Sequence, residues 1–277
     1  MGCPGSSTNA TSVTEVIALL RQHQSQRHPD SLTVREGAAS SAELASWLNV
    51  SSSLSPRTIC EIGVNAGDSA VHWLCAHPKA TYVGFDLGRF NVTSDAAEFL
   101  THAFPNRFKL IRGDSLTTLP RHAMEHPRSC DVMVVDGGHS MHLAYSDLAY
   151  MRVLARDPER HVVIMDDVRC GQWWCVPPTT VWAFFQRMGI VRETSCLIDG
   201  CCSGWCWGSF DLRAEQPAPH LVCGEDDLEK TTRSKWMKSW LPRCRKTARA
   251  KYPNASRIRR AESGLYVHSV PVPVVYR

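Results

Sequence analysis

The 277-residue chain has no long hydrophobic run, and this absence excludes a helical membrane span. No stretch approaches the roughly 18 to 20 apolar residues that a helix needs to cross a bilayer. The start of the chain also lacks the apolar core of a secretory signal peptide. With 43% hydrophobic and 21% charged residues, the composition is that of an ordinary globular protein. We therefore expect a cytoplasmic protein.

Three common binding signatures are missing as well. The chain has no Gly-x-Gly-x-x-Gly turn of dinucleotide enzymes and no Gly-Lys-Ser/Thr loop that would hold a triphosphate, which disfavours NAD and ATP. Its twelve cysteines form no Cys-x-x-Cys pair of the kind found in structural zinc sites. In a long chain without a leader, we interpret these cysteines as mostly reduced thiols. Sequons at Asn9, Asn49, Asn91 and Asn254 leave a secretory alternative open.

Positive charge is concentrated near the end of the chain. Residues 228–260 contain twelve Lys and Arg residues against one acid, Glu229, whereas the whole chain has a formal net charge of +4. Such a segment is most often a solvated tail, and it can also bind an anionic membrane surface or an acidic partner. We regard nucleic acid as an unlikely partner, and nothing in the sequence indicates an oligomeric state.

The first residues fit a lipidation pattern. Met-Gly-Cys-Pro-Gly-Ser places Gly2 as a myristoyl acceptor, Ser6 at the required hydroxyl position and Cys3 as a palmitoyl acceptor. One myristoyl chain binds membranes only weakly, so a stable anchor would need Cys3 or the basic segment as a second attachment. The alternative is an unmodified, flexible start of the chain.

Apolar segments alternate with helical patterns from residue 57 onward. Strands are predicted at 58–62, 81–86, 108–112, 131–135, 161–165, 190–197 and 204–211. Helices are predicted near 68–76, 93–103, 115–125, 141–155 and 179–188, after two leading helices at 13–23 and 42–48. This pattern predicts an α/β fold with a doubly wound, mostly parallel seven-stranded sheet. We expect a start with leading helices at 1–56, a catalytic domain at 57–215 and a basic tail at 216–277.

The first strand runs into a tight glycine turn, Glu61-Ile-Gly-Val-Asn-Ala-Gly-Asp-Ser69. Such a turn lies where doubly wound sheets bind ligands, and its glycines let a ligand approach the backbone. Asp86 ends the second strand about 20 residues later, where a carboxylate accepts hydrogen bonds from ribose hydroxyls. Asp114 and Ser115 follow the third strand, where either side chain could meet an adenine amino group.

This order of motifs resembles class I S-adenosylmethionine (SAM) methyltransferases. The resemblance implies Glu61, Gly63 and Gly67 around the methionine part of SAM, Asp86 at its ribose and Asp114 near its adenine. The full predicted cofactor set is Glu61, Gly63, Asn65, Gly67, Ser69, Asp86, Asp114, Ser115 and Asp136.

Three carboxylates follow the next two strands. Asp136 comes after the fourth strand, and Asp166 and Asp167 come after the fifth. Since parallel strands end at the same sheet edge, these acids should converge, and a cation would neutralise their mutual repulsion. Oxygen-only ligands suit a hard ion such as Mg²⁺. For Asp166-Asp167 alone, a helix cap or turn is an equally good interpretation.

His139 follows Asp136 over a Gly-Gly turn and is a candidate general base, because neutral imidazole can accept a proton near neutral pH. The run Asp-Gly-Gly-His-Ser-Met-His-Leu-Ala-Tyr-Ser-Asp, followed by Asp166-Asp167, resembles metal-dependent O-methyltransferases related to macrocin O-methyltransferase and the cephalosporin hydroxylase-like branch (methyltransferase 24-type). The resemblance implies Asp136, Asp166 and Asp167 as metal ligands and His139 as the base.

We therefore predict methylation of a small-molecule hydroxyl by SAM, assisted by Mg²⁺ or another divalent cation. Two alternatives remain open. The fold could be a catalytically silent SAM-binding or membrane-tethered interaction protein, although the complete set of acids and His139 argues against this. It could also be a hydroxylase-like or N-methylating relative, since the fold does not determine the acceptor.

Overall fold

Seven strands form a single sheet in the computed structural model. They are β1 (Thr58–Ile62), β2 (Thr81–Asp86), β3 (Phe108–Arg112), β4 (Val132–Val135), β5 (Val162–Met165), β6 (Val191–Asp199) and β7 (Ser203–Phe210). Their order is β3-β2-β1-β4-β5-β7-β6, with β1 to β5 parallel and β7 antiparallel to both its neighbours. This confirms the predicted fold class. The order reverses between β1 and β4, and ligands bind at such a switch point in open α/β sheets.

Seven α-helices accompany the sheet in the residues that the structure describes, which are 3, 5–8, 10, 12–28, 39–200 and 202–215. They are α1 (Val13–Arg27), α2 (Ser41–Ser51), α3 (Asp68–Ala76), α4 (Asn91–Ala103), α5 (Ser115–Glu125), α6 (Met141–Leu154) and α7 (Val176–Arg187). A short 3₁₀ turn at Trp173–Cys175 precedes α7. The predictions on Gly2, the segment 228–260 and the tail lie outside the described residues.

The predicted boundaries differ from the structure mainly at helix starts and ends. Helix α7 begins at Val176, so Pro177 and Pro178 lie inside its first turn and not before it. Proline fits there because the first helical N–H groups have no intrahelical acceptor. Helix α2 continues to Ser51, three residues beyond its predicted end at residue 48.

The core lies on both faces of the sheet. Every residue of β4 and β5 is buried, as expected for central parallel strands covered by helices on both sides. The leading helices join the same packing: Val16 and Leu20 of α1 are fully buried, and Trp47 of α2 stacks on Trp73 of α3 with ring centroids 6.5 Å apart. The boundaries at residues 56 and 215 remain predictions.

Disulfide bonds contradict our interpretation of the cysteines as reduced thiols. Bonds join Cys3 to Cys75, Cys60 to Cys130, Cys170 to Cys175 and Cys196 to Cys206. Two of these pairs are about 70 positions apart in the sequence, so the fold alone brings them together. The proposed palmitoyl site at Cys3 is also wrong for this structure, because Cys3 is buried and its sulfur is bonded.

The disulfides also bear on where the protein folds. Such bonds are typical of oxidising compartments. The expectation of a cytoplasmic location rested partly on reduced cysteines, and the disulfides remove that support. Two of the sequon asparagines, Asn49 and Asn91, are exposed, while Asn9 and Asn254 lie outside the described residues. No helix in the described part of the chain combines the length and apolar character needed to cross a bilayer.

Candidate active site

The glycine turn after β1 needs backbone conformations that side chains rarely adopt. Gly63 and Gly67 have φ values of 94° and 87°, and Asn65 has a φ of 47°. A Cβ atom on Gly63 would lie 1.8 Å from the carbonyl oxygen of Asp136. Glycine is therefore required at residue 63, where the turn packs directly against the end of β4.

Asp86 joins this turn to the loop after β2. Its carboxylate accepts hydrogen bonds from the backbone N–H of Asn65 at 2.9 Å and of Gly88 at 2.7 Å. A carboxylate has about four acceptor positions, so Asp86 keeps capacity for a ribose hydroxyl. The two backbone bonds hold it at the mouth of the turn.

Glu61 lies behind the turn and is fully buried. The hydroxyl of Tyr82 donates to its carboxylate at 2.7 Å. Burial raises the pKa of Glu61 to about 7, and hydrogen bonds from Tyr82 and Ser69 offset part of that rise. Sequence analysis did not identify Tyr82 as part of the site. Its place in β2, the strand next to β1, was the signal that could have revealed it. The arrangement places Glu61 and Ser69 together at the predicted methionine end of the site.

Asp114 caps α5 in this structure, accepting the backbone N–H of Leu116 at 2.9 Å. This is the structural role that strand-end acids commonly have, and its contact with adenine remains a prediction. Behind it, Ser115 lies beside the fully buried Asp147 of α6, a residue that sequence analysis missed. Burial raises the pKa of Asp147 to about 7, partly offset by the Ser115 hydroxyl.

The three predicted metal ligands meet at the carboxyl edge of the sheet. Val135 pairs with Met165 across β4 and β5, so Asp136 and Asp166 leave the sheet side by side. One carboxylate oxygen from each of Asp136, Asp166 and Asp167 lies within 4.8 Å of the other two. The convergence predicted from the strand ends is therefore present.

The electrostatics of this cluster favour a cation. Burial and repulsion between the acids raise the pKa values of Asp136 and Asp166 well above their usual range. The Oδ1 atom of Asp166 is buried without a hydrogen-bond partner among the described residues. Three hard oxygen donors, one of them unpaired, fit a small divalent cation such as Mg²⁺. The residues present therefore fit the ion that the family resemblance implies.

Asp167 is held in a left-handed backbone conformation, with φ of 55°. Such values are uncommon outside glycine and concentrate at functional sites, where the surrounding structure maintains them. The indole N–H of Trp174 donates to Asp167 Oδ1 at 3.2 Å, and the N–H of the next residue, Val168, donates to the carbonyl of Gly204 at 2.7 Å. The loop after β5 is thus tied to β7 and to the 3₁₀ turn.

His139 lies against the same cluster. Its Nε2 atom is 2.6 Å from Asp167 Oδ2, and its side chain is 40% exposed. His139 and the acids Asp136, Asp166 and Asp167 line one small cavity beside the Gly137-Gly138 turn. The structure therefore brings the candidate base and the candidate ligands together.

One further acid at this edge was missed. Glu43 of α2 is buried and belongs to a Ser-x-x-Glu capping box with Ser40. The capping box itself is a recognisable sequence signal. Nothing in the sequence, however, indicates that this helix docks against β5 and that Glu43 meets Ser203 at the start of β7.

Comparison with known proteins agrees with this description. Residues 60–168 match a family described as a methyltransferase domain. No curated protein matches the chain significantly.

Solved structures with the same fold include three with TM-scores of 0.57 to 0.58. Cofactor-bound Rv0187 from MTB has a TM-score of 0.58 at 17% identity, covering 71% of this chain and 90% of its own. TomG, an O-methyltransferase from Streptomyces achromogenes in complex with SAM, has a TM-score of 0.57 at 17% identity, covering 71% and 89%. An O-methyltransferase from Bacillus cereus in complex with SAH has a TM-score of 0.57 at 14% identity, covering 71% and 90%.

At these identities the solved structures establish the fold, and the methyltransferase match covers residues 60–168. The glycine turn, Asp86 and the acids lie at the carboxyl edge of the sheet, where open α/β sheets bind ligands. Residues 60–168 thus match a methyltransferase domain, on a fold that a SAM-bound O-methyltransferase shares.

Proposed function

We propose that this protein transfers the methyl group of SAM to a hydroxyl group of a small molecule, with a divalent cation held by Asp136, Asp166 and Asp167. The observation that carries the proposal is the direct packing of the glycine turn on the metal-ligand edge. Gly63 touches the carbonyl of Asp136, whose side chain belongs to the carboxylate cluster. The methyl donor and the acceptor would therefore bind next to each other.

The predicted cofactor-binding residues would bind different parts of the cofactor. Glu61, Gly63, Asn65, Gly67 and Ser69 would hold the methionine part of SAM. Asp86 would bind the ribose, and Asp114 or Ser115 would meet the adenine. When bound, the cation would polarise the acceptor hydroxyl, and SAM would supply the methyl group. The protein mainly brings the reacting atoms together in an aligned geometry.

His139 would take the proton from the acceptor. With Nε2–H donated to Asp167, the lone pair of the neutral ring lies on Nδ1, which is then the basic atom. Asp167 would thus orient the base as well as bind the cation. These two roles would account for the left-handed backbone conformation of Asp167, which is uncommon outside glycine.

Two of the three similar solved structures are O-methyltransferases, which supports a hydroxyl group as the methyl acceptor. A second candidate, a catalytically silent SAM-binding protein, shares the fold. The convergence of three carboxylates beside His139 favours the enzyme.

Methyl transfer from labelled SAM to a panel of small hydroxyl compounds tests the proposal, with Mg²⁺ and with a chelator. Asp167→Ala should abolish turnover while calorimetry shows SAM binding largely retained. Asp136→Ala, at a residue that is also predicted to contact SAM, should abolish turnover as well. Full activity of either variant, or of the parent protein in chelator, would contradict the metal role. Transfer only to amines would contradict O-methylation.

A further inference from the structure

The indole of Trp174 contacts one oxygen of the Asp167 carboxylate. Its N–H donates to Oδ1 at 3.2 Å, while the other oxygen, Oδ2, lies 2.6 Å from His139 Nε2. The sulfur of Cys175 is 3.5 Å from the same Oδ1 atom, but it belongs to a disulfide and carries no proton to donate. The carboxylate is therefore contacted at both oxygens, by the indole at one and by the candidate base at the other.

The loop that carries Trp174 is closed by covalent and backbone bonds. A disulfide joins Cys170 to Cys175, the residue after Trp174, across only five positions. Cys175 is fully buried, and its backbone N–H donates to the carbonyl of Gln172 at 3.2 Å. In the chain-entropy description, so short a loop adds less to global stability than the loops of 72 and 70 residues do. The main effect of this disulfide is therefore local, on the segment that holds the indole.

Tryptophan has the right chemistry for a residue beside a cation site. The indole N–H only donates, and the ring carries no charge. A lysine or arginine in its place would offset the negative charge of Asp167 and repel a cation. The indole instead restrains the carboxylate and leaves its charge available. This restraint matters because the terminal torsion of an aspartate is broad, so the rotamer alone does not set the positions of the two oxygens.

We infer that Trp174 is a positioning residue for the proposed reaction: its indole N–H holds the Asp167 carboxylate so that Asp167 binds the cation and orients His139 at the same time. A carboxylate free to turn would lose both alignments together. The inference rests on the proposed function, because it requires Asp167 to have these two roles.

Two substitutions at residue 174 separate the N–H from the ring. Trp174→Phe keeps an aromatic ring and removes the N–H. Trp174→Gln removes the ring and keeps an N–H, on a nitrogen that lies as many bonds from Cα as the indole nitrogen does. Titration with Mn²⁺, followed by the electron paramagnetic resonance signal of the free ion, measures cation affinity. Trp174→Phe should bind Mn²⁺ about 10- to 100-fold more weakly than the parent protein, the usual loss when a metal ligand loses the partner that orients it. Trp174→Gln should recover most of this loss.

Trp173→Phe is the matched control. Trp173 is 71% exposed, and its ring lies edge-on against Trp174 with ring centroids 5.9 Å apart. The same change at this neighbouring residue should leave the Mn²⁺ affinity equal to that of the parent protein. Methyl-transfer rates give a second readout: kcat should fall in Trp174→Phe while calorimetric SAM affinity is unchanged, because the indole contacts the carboxylate cluster and not the glycine turn.

Unchanged Mn²⁺ affinity in Trp174→Phe would overturn the inference and leave the cation site intact. An equal or larger loss in Trp174→Gln would show that packing of the ring matters and not its N–H, and an equal loss in Trp173→Phe would show a general disturbance of the loop. Either result would also overturn the inference. If the parent protein binds no Mn²⁺, or if Asp167→Ala binds it equally well, the cation site of the proposed function fails, and the inference fails with it.

Discussion

His139 has two ring nitrogens, and Nε2 is 2.6 Å from Asp167 Oδ2. If Nδ1 is the basic atom, replacing the ring should stop proton removal without affecting the cofactor site. We expect His139→Gln to lower kcat by about 10²- to 10⁴-fold, the usual contribution of a general base. Rates of methyl transfer and calorimetric SAM affinity, measured together, check this.

His142 offers a control for that experiment. It lies three residues further along, is exposed on α6 and does not belong to the cavity of the carboxylate cluster. His142→Gln should leave kcat within about twofold of the parent, as surface substitutions usually have small effects. Equal losses in both variants would indicate a general disturbance of α6 and would argue against His139 as the base.

Asp147 has a pKa raised to about 7 in the folded protein, with burial as the main cause. Because the folded pKa exceeds the unfolded one, the parent protein should lose stability as pH rises from about 4 through about 7. Asp147→Asn has no charge to bury, so its stability relative to the parent should increase over the same window. One pKa unit corresponds to about 1.4 kcal/mol, so a gain of a few kcal/mol is expected.

Urea unfolding of both proteins at pH 5 and pH 8 measures this effect. Asp199→Asn, at an exposed position on β6, is the control and should show no such dependence. A stability difference between Asp147→Asn and the parent that is the same at both pH values would show that Asp147 ionises normally.

At the scale of elements, α1 supports the glycine turn through one side chain. Gln24 is fully buried, and its amide donates to the carbonyl of Ala66 at 3.0 Å and to that of Val92 at 3.3 Å. It thereby links the glycine turn to the start of α4. Gln24→Leu would leave both carbonyls without this donor, and burying such groups unpaired costs about 1 to 3 kcal/mol.

We therefore expect Gln24→Leu to weaken SAM binding several-fold and to lower thermal stability. Gln26→Leu, on the exposed side of the same helix, should change neither. Calorimetric titration with SAM gives the affinities. An unchanged affinity in Gln24→Leu would show that the turn keeps its shape without α1.

The role of α1 marks the limit of what periodicity predicts. Apolar spacing indicated a helix at 13–23, and the structure has one at Val13–Arg27. The pattern does not reveal that Gln24, a polar residue near the end of this helix, is its anchor on the glycine turn. Burial of a polar side chain depends on partners distant in sequence, here Ala66 and Val92. Glu43 was missed for the same reason.

At the scale of the whole molecule, disulfides cross-link distant parts of the chain. Cys3–Cys75 and Cys60–Cys130 span 72 and 70 residues. In the chain-entropy description, closing a loop of this size stabilises the folded state by about 4 kcal/mol. We expect treatment with a phosphine reductant to lower the unfolding temperature markedly, as calorimetry would show.

Peptide mapping without reduction provides the accompanying check. It should recover the pairs Cys3–Cys75, Cys60–Cys130, Cys170–Cys175 and Cys196–Cys206. Free thiols at these positions in the purified protein, with an unfolding temperature that the reductant does not change, would contradict the cross-linked fold.

The order of strands and helices, the glycine turn and the acids at the strand ends followed from the sequence alone. They could be read locally because side-chain periodicity and turn chemistry depend on near neighbours. The disulfide pairs, the contact between His139 and Asp167, and the contacts that Glu43 and Gln24 make with distant residues were decided only by the tertiary structure. Each of these joins groups from separate elements, and packing of helices on the sheet sets their distances.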